Sequence, residues 1–268
     1  MGRAMAATNG YKPEQASDLY VSSGTTRDYE YGMYRIFAYT FELSIVAYPR
    51  DTLIASETGR NKAAVLYLLE RAWCPLAVLG TPVRDARCGA FDDDLEVARG
   101  WAVNPDGTDT APVNARFVRS NPAPTYYLGV KQRGDTPSGS MAFVTGALAG
   151  SSANANDLDG RTTVRSVPIT LPGKAGQRLT FRYVFAHDAR STSADSLKAI
   201  VETSGGAQTV VFTQLGSPTD VDGVWRSASI PMDAYAGQTV RLRFEATDGG
   251  VNNLVEAEID DVRITYGQ

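Results

Sequence analysis

The feature that most constrains this chain is a change of texture near residue 86. From Ala86 onward, short apolar alternations are separated by clusters of Gly, Pro, Asn and Asp, and no long helical period recurs. Period-two alternation broken by turn residues marks antiparallel strands, so this part is expected to be all-β. The spacing predicts strands at Arg116–Ser120, Thr163–Leu171, Leu179–Ala186, Leu197–Glu202, Thr209–Gln214, Val224–Ile230, Thr239–Ala246 and Ala257–Tyr266. So many strands in one stretch suit a two-sheet sandwich or jelly roll.

Residues 1–85 read differently. Ser56–Ala72 is the clearest helix: Ala64, Leu68 and Ala72 share a face with Val65 and Leu69 beside it, Glu57 lies in the first turn and Arg71 in the last. Ala4–Ala7 is a short helical piece stopped at Asn9-Gly10, Pro13–Asp18 suits a helical turn, and Ser22–Thr26 reads as a loop. Tyr29, Tyr31 and Tyr34 alternate loosely ahead of Arg35–Leu43, whose β-branched and aromatic content predicts a mostly buried strand. One carboxylate, Glu42, follows Phe37, Tyr39 and Phe41 in it. Desolvating a carboxylate costs several kcal/mol unless it is paired or used, so Glu42 is either a strand-end residue reaching solvent or part of a site. The boundary falls at Thr81–Ala86, giving an α/β portion over 1–85 and an all-β sandwich over 86–268.

A formal net charge of -4 argues against a nucleic-acid partner, and no stretch is basic enough to suggest a membrane surface. No run reaches the length of a transmembrane helix, and the N-terminus carries no apolar export signal. Cys74 and Cys88 are spaced to allow a disulfide, worth about 3 kcal/mol and favouring an extracytoplasmic setting; two unrelated buried thiols is the other reading. The single histidine, His187, is expected at a strand edge, and no zinc site can be assembled around it. Acidic clusters occur at Asp92–Asp94 with Glu96, at Asp157 and Asp159, and at Glu256, Glu258, Asp260 and Asp261. Calcium takes six to eight oxygens, and Asp93, Asp94 and Asp260 are the candidate ligands, with solvated loop acids as the default reading.

Read together, ATNGY (Ala7–Tyr11), DLYVSSGTTRDYEYG (Asp18–Gly32), TFEL (Thr40–Leu43) and ETGRNKAAVLYLLERA (Glu57–Ala72) closely resemble the C-terminal end of a zinc carboxypeptidase catalytic domain. The similarity is to peptidase family M14, especially its secreted bacterial branch. In that family a mobile tyrosine precedes the FTFEL-like strand by a fixed interval, and Tyr20 and Glu42, 22 positions apart, fall where the motif puts them. The resemblance implies an α/β mixed-sheet fragment, Glu42 as general base and proton shuttle beside a zinc-bound water, and Tyr20 closing over the terminal carboxylate of a peptide or protein substrate. It places Arg27 at the base of the specificity pocket, where a guanidinium suits a C-terminal Glu or Asp; an Arg27 turned outward or paired with Asp28 or Glu30 is the other reading. Secretion is implied in the same way.

The departures from the pattern matter as much. The family's zinc ligands, an HxxE pair and a later histidine, precede the part seen here, as do its substrate-binding arginines. The chain is therefore expected to hold no catalytic zinc and to be inactive alone, as a truncated portion of an enzyme or one half of a complementing pair. Exposed apolar surface is expected around Ile36–Phe41 and the helix from Ser56. The β region more loosely resembles jelly-roll domains appended to secreted bacterial metallopeptidases, in DDLEVARGWAVNPDGTD (Asp93–Asp109) and VEAEIDDVRI (Val255–Ile264). A secreted β-sandwich binding module with a relic peptidase segment is the alternative.

Overall fold

A computed structural model describes residues 1–34, 36–44, 46, 48–72, 89–148, 152–250 and 253–266. The chain divides into two compact units, Met1–Cys88 and Gly89–Gln268.

In the first unit the described residues form four helices: α1 (Gly2–Asn9), α2 (Ala16–Leu19), α3 (Thr26–Tyr34) and α4 (Ile54–Arg71). Gly10, at φ +73°, ends α1 and donates its N–H to the Ala6 carbonyl. Helices α1 and α4 meet through buried Met5, Ala6 and Ala64, and Asn9 Nδ2 donates to Asn61 Oδ1 at 2.9 Å. Asn61 Nδ2 in turn donates to the Tyr11 hydroxyl at 3.1 Å, tying the turn after α1 to the middle of α4.

Two expectations here are corrected. The tyrosines at 29, 31 and 34 lie on α3 rather than leading into a strand. The helix starts on a reciprocal cap, in which Asp28 N–H donates to Thr25 Oγ1 (3.3 Å) and Thr25 N–H donates to Asp28 Oδ2 (2.9 Å). The Arg35–Leu43 segment, expected to be a buried strand, is neither paired nor buried over its described residues: the chain from Ile36 to Leu43 makes no ladder there, and Ile36 is 53% exposed and Leu43 54%. A strand needs a neighbour for its backbone groups, and the described residues of this unit offer none. Val65, Leu66 and Leu69 on α4 are exposed as well, so the unit shows the apolar surface that the sequence leads one to expect.

The second unit is a sandwich of two antiparallel sheets. One runs β10 (Arg226–Pro231), β7 (Gln177–His187), β12 (Val255–Tyr266), β4 (Ala142–Thr145) and β3 (Phe117–Ser120), with β1 (Gly89–Asp93) also on β12. The other runs β2 (Ala102–Val103), β5 (Gly160–Arg165), β11 (Thr239–Asp248), β8 (Ser196–Thr203) and β9 (Gln208–Leu215), with β6 (Ile169–Thr170) also on β11. Alternate residues face inward: Leu179, Phe181, Tyr183 and Phe185 from β7 meet Val240, Leu242, Phe244 and Ala246 from β11. A bulge in β12, with Asp261 at φ +50°, adds one residue between Asp260 and Arg263. It shifts the inward phase from Val255, Ala257 and Ile259 to Val262 and Ile264. Trp101 bridges the layers, 5.4 Å from the Phe143 ring and 6.0 Å from that of Phe244, and its indole N–H donates to Asp93 Oδ2 at 2.8 Å.

Candidate functional site

The three residues singled out in the first unit come together. Helix α2 delivers Tyr20, an extended residue that donates its N–H back to Ala16 O and is 61% exposed. The turn at Gly24 (φ +73°) brings in α3, whose first turn carries Arg27. Residues two apart on extended chain share a side. Phe37 and Phe41 pack on Tyr31 and Tyr11, leaving Thr40 and Glu42 to face α2 and α3 across a hollow. That hollow, about 290 Å³, is lined by Tyr20, Arg27, Thr40 and Glu42 together with Ala16, Leu19, Thr25 and Thr26.

Arg27 Nη1 donates to Thr40 Oγ1 at 2.9 Å, which holds the guanidinium in the hollow. Among the described residues it makes no ion pair with Asp28 or Glu30, the neighbours that would have neutralised it. The Asp28 carboxyl instead accepts the Thr25 N–H, and this bond together with one from the Thr25 hydroxyl holds it below the usual carboxylate range. Glu42 is exposed and, among the described residues, its carboxylate has no hydrogen bond. The hollow thus presents a free carboxylate, an anchored cation with donors to spare and an exposed phenol, a set able to hold an anionic group and accept a proton beside it.

The remaining candidates lie elsewhere. Cys74 and Cys88 fall outside the described residues. His187 ends β7, buried against the Phe185 ring, with its Nδ1 3.1 Å from Asp188 O, so it is a buried strand-end residue. Asp93 is fully buried, and its oxygens accept the Leu95 N–H (3.0 Å) and the Trp101 indole N–H. Asp94 accepts the Glu96 N–H. Asp260 accepts the Asp261 N–H at 2.6 Å. Among the described residues no group of three or more His, Cys, Asp and Glu side chains is arranged to hold a metal ion. Among the described residues the donor set that a catalytic zinc requires is not offered: the chain's one histidine is committed inside the sandwich, and the carboxylate in the hollow stands without imidazole neighbours.

Glu256, Glu258 and Asp260 are not solvated loop acids. They alternate along the face of β12 turned away from the core, and all three are buried. Glu256 Oε2 accepts from Thr145 Oγ1 at 3.1 Å, and Glu258 Oε1 accepts the Arg133 N–H at 2.5 Å. Burial pushes Asp260 up to about 7 and Glu258 up to about 8, and Glu256 well above its ordinary range. A further buried acid, which no sequence motif marks, is Asp195: it accepts from Ser191 Oγ, the Thr192, Gly249 and Gly250 N–H groups and Asn253 Nδ2. These bonds knit the start of β8 to the turn after β11.

No family model matches the chain. A curated zinc carboxypeptidase of Saccharothrix mutabilis subsp. capreolus is 42% identical to it over 85 residues, 30% of this chain and 20% of that protein. The chain thus spans about a fifth of the length of the curated relative it matches. Among solved structures, a cleaved adhesin domain of Lys-gingipain from Porphyromonas gingivalis aligns with 67% of this chain and 99% of its own, at 16% identity and a TM-score of 0.43. A xylan-binding domain from Paenibacillus barcinonensis aligns with 66% and 94%, at 13% identity and a TM-score of 0.35. The chain is therefore partly similar in sequence to a zinc carboxypeptidase and carries a β-sandwich, and no described helix is long and apolar enough to cross a membrane.

Proposed function

We propose that residues 1–72 are the portion of a secreted zinc-carboxypeptidase-type enzyme that supplies a base and the substrate's C-terminal pocket. The supporting observation is the convergence of Tyr20, Arg27 and Glu42 on one hollow, in a chain with partial identity to a zinc carboxypeptidase. In this reading the unit belongs to an α/β catalytic domain, and the Ile36–Leu43 segment is one strand of its mixed sheet. Glu42 takes the proton of the attacking water and returns it to the leaving amine. Tyr20, free to swing, covers the peptide's terminal carboxylate, and Arg27 selects an acidic C-terminal side chain through charge-assisted hydrogen bonds. The ligands for a metal that would polarise the scissile carbonyl must lie on a further stretch of polypeptide, because the one histidine and the described carboxylates of this chain do not fit a zinc site. The isolated chain is accordingly inactive.

A chimera tests this: the Saccharothrix enzyme with its matched segment replaced by the corresponding residues of this chain, assayed on peptides ending in Glu or Leu. The expected result is release of Glu in preference to Leu, reversal of that preference with Arg27→Leu, and loss of turnover with Glu42→Gln. A chimera preferring Leu sinks the role of Arg27; one that tolerates Glu42→Gln sinks the role of the base. The alternative, a secreted β-sandwich binding module, is supported by the self-sufficient core of the second unit.

A further inference from the structure

The face of the β5–β11–β8 sheet turned away from the core is built from charged and hydroxylated side chains. Since Val240, Leu242, Phe244 and Ala246 point inward, Arg241, Arg243 and Glu245 of β11 point outward, beside Arg161 and Arg165 of β5 and Lys198 and Glu202 of β8. The acids there are shared. Glu202 lies 2.5 Å from Arg243 and 3.6 Å from Arg165, and Asp106 pairs with the same two arginines. Glu245 serves Lys198 at 3.2 Å and Arg161 at 3.9 Å. Arg241 is left over: among the described residues its guanidinium meets no carboxylate, and its Nη1 is anchored on the Ser166 carbonyl at 2.8 Å. On a chain of net charge -4 this face therefore carries an excess of positive charge.

Arg241 lines a recess of about 420 Å³, the size of small-ligand sites. Opposite it stand the β8–β9 turn, with Thr203, Ser204 and Gln208, and beside it Thr239 and Glu202. An anchored guanidinium without an acid partner is a preorganised carboxylate receptor. Gln208 Nε2 donates to Glu202 Oε1 at 3.1 Å, so the lining groups that can meet a hydroxyl-rich ligand are the Gln208 amide oxygen, the Glu202 Oε2 atom and the hydroxyls of Thr203, Ser204 and Thr239.

We infer that this recess is a binding site for a uronic-acid-containing saccharide, with Arg241 holding the sugar carboxylate and Glu202, Gln208, Ser204 and Thr239 its hydroxyls. The site is independent of the peptidase reading of residues 1–72.

The full chain is titrated calorimetrically with trigalacturonate, with its fully methyl-esterified neutral form, and with an acidic peptide of glutamates. Trigalacturonate binds, its affinity falls with added salt, and the ester and the peptide bind about tenfold more weakly or less, the loss expected of a charged hydrogen bond. Arg241→Gln lowers the uronate affinity by a similar factor. Should that variant unfold, Ser204→Trp, which fills the recess from an exposed turn residue, reads the same loss. Absence of uronate binding, equal binding of the ester, equal or tighter binding of the peptide, or unchanged affinity in the folded variants each overturns the assignment.

Discussion

Glu258 offers the sharpest test of how the sandwich tolerates its buried acids. The residue is fully buried on β12, its Oε1 takes the Arg133 N–H, and among the described residues its Oε2 has no hydrogen-bond partner. Burial pushes its carboxyl up to about 8 against the opposing pull of that hydrogen bond. An unfolded glutamate titrates near ~4.3. A carboxyl raised on folding contributes stability that is fully present below the unfolded value and is lost as pH rises through the folded one. At about 1.4 kcal/mol per pKa unit, Glu258 alone removes roughly 2–3 kcal/mol from the unfolding free energy between about pH 6 and about pH 9. Glu258→Gln keeps the shape and the acceptor for Arg133 but cannot titrate. Urea unfolding of both proteins, followed by tryptophan fluorescence in the presence of a chelator, gives the two slopes. The native chain should lose about 2 kcal/mol more than the variant across that range. Asp260 and Asp248, each raised to about 7, add to both slopes and largely cancel in the difference. Equal slopes, or a native chain that gains stability with pH, refute the burial argument.

Other perturbations follow from the same packing. Phe244→Ala removes a fully buried ring 5.0 Å from that of Phe181 and should cost about 3–5 kcal/mol in urea unfolding; a loss below about 1 kcal/mol would mean that the layers do not meet there. Asp195→Ala strands several buried donors and should lower stability by about 3 kcal/mol or more, with faster amide exchange at Gly249 and Gly250; unchanged exchange there contradicts the hub. Thr25→Ala removes the acceptor at the start of α3 and should speed exchange of the Asp28 amide about fivefold, the equivalent of a lost cap of about 1 kcal/mol. Limited proteolysis should cut the exposed, unladdered Ile36–Leu43 segment before the sandwich; equal resistance of both would count against it.

The sandwich was legible because its strands alternate cleanly: all the strand stretches expected after Arg116 carry ladders in the structure, the Thr163–Leu171 stretch as two, β5 and β6, on either side of Pro168. The strands missed were short or looked like loops. Gly89–Asp93 runs into an aspartate cluster, and Ala142–Thr145 is a four-residue strand that takes its place from β12 and β3 rather than from its own pattern. In the first unit the tyrosine spacing masked α3, while the deciding signal was Thr25 with Asp28 three residues on. Strand propensity in Ile36–Leu43 was real, but pairing depends on neighbours that propensity does not contain. Of the hollow's residues, Glu42 alone drew notice on local pattern; Tyr20 and Arg27 were identified through the family resemblance. The outward position of Arg241 follows from the β11 alternation, whereas its lack of an acid partner is a property of three adjacent strands and of Asp106, which no single stretch of sequence displays.

The central claim is that this chain carries a carboxypeptidase-type base and substrate pocket without the ligands for the metal. The most direct test is zinc analysis of the purified full chain by mass spectrometry, paired with a carboxypeptidase assay with and without chelator. The account predicts no stoichiometric zinc and no release of C-terminal residues. Stoichiometric zinc accompanied by chelator-sensitive release would contradict it.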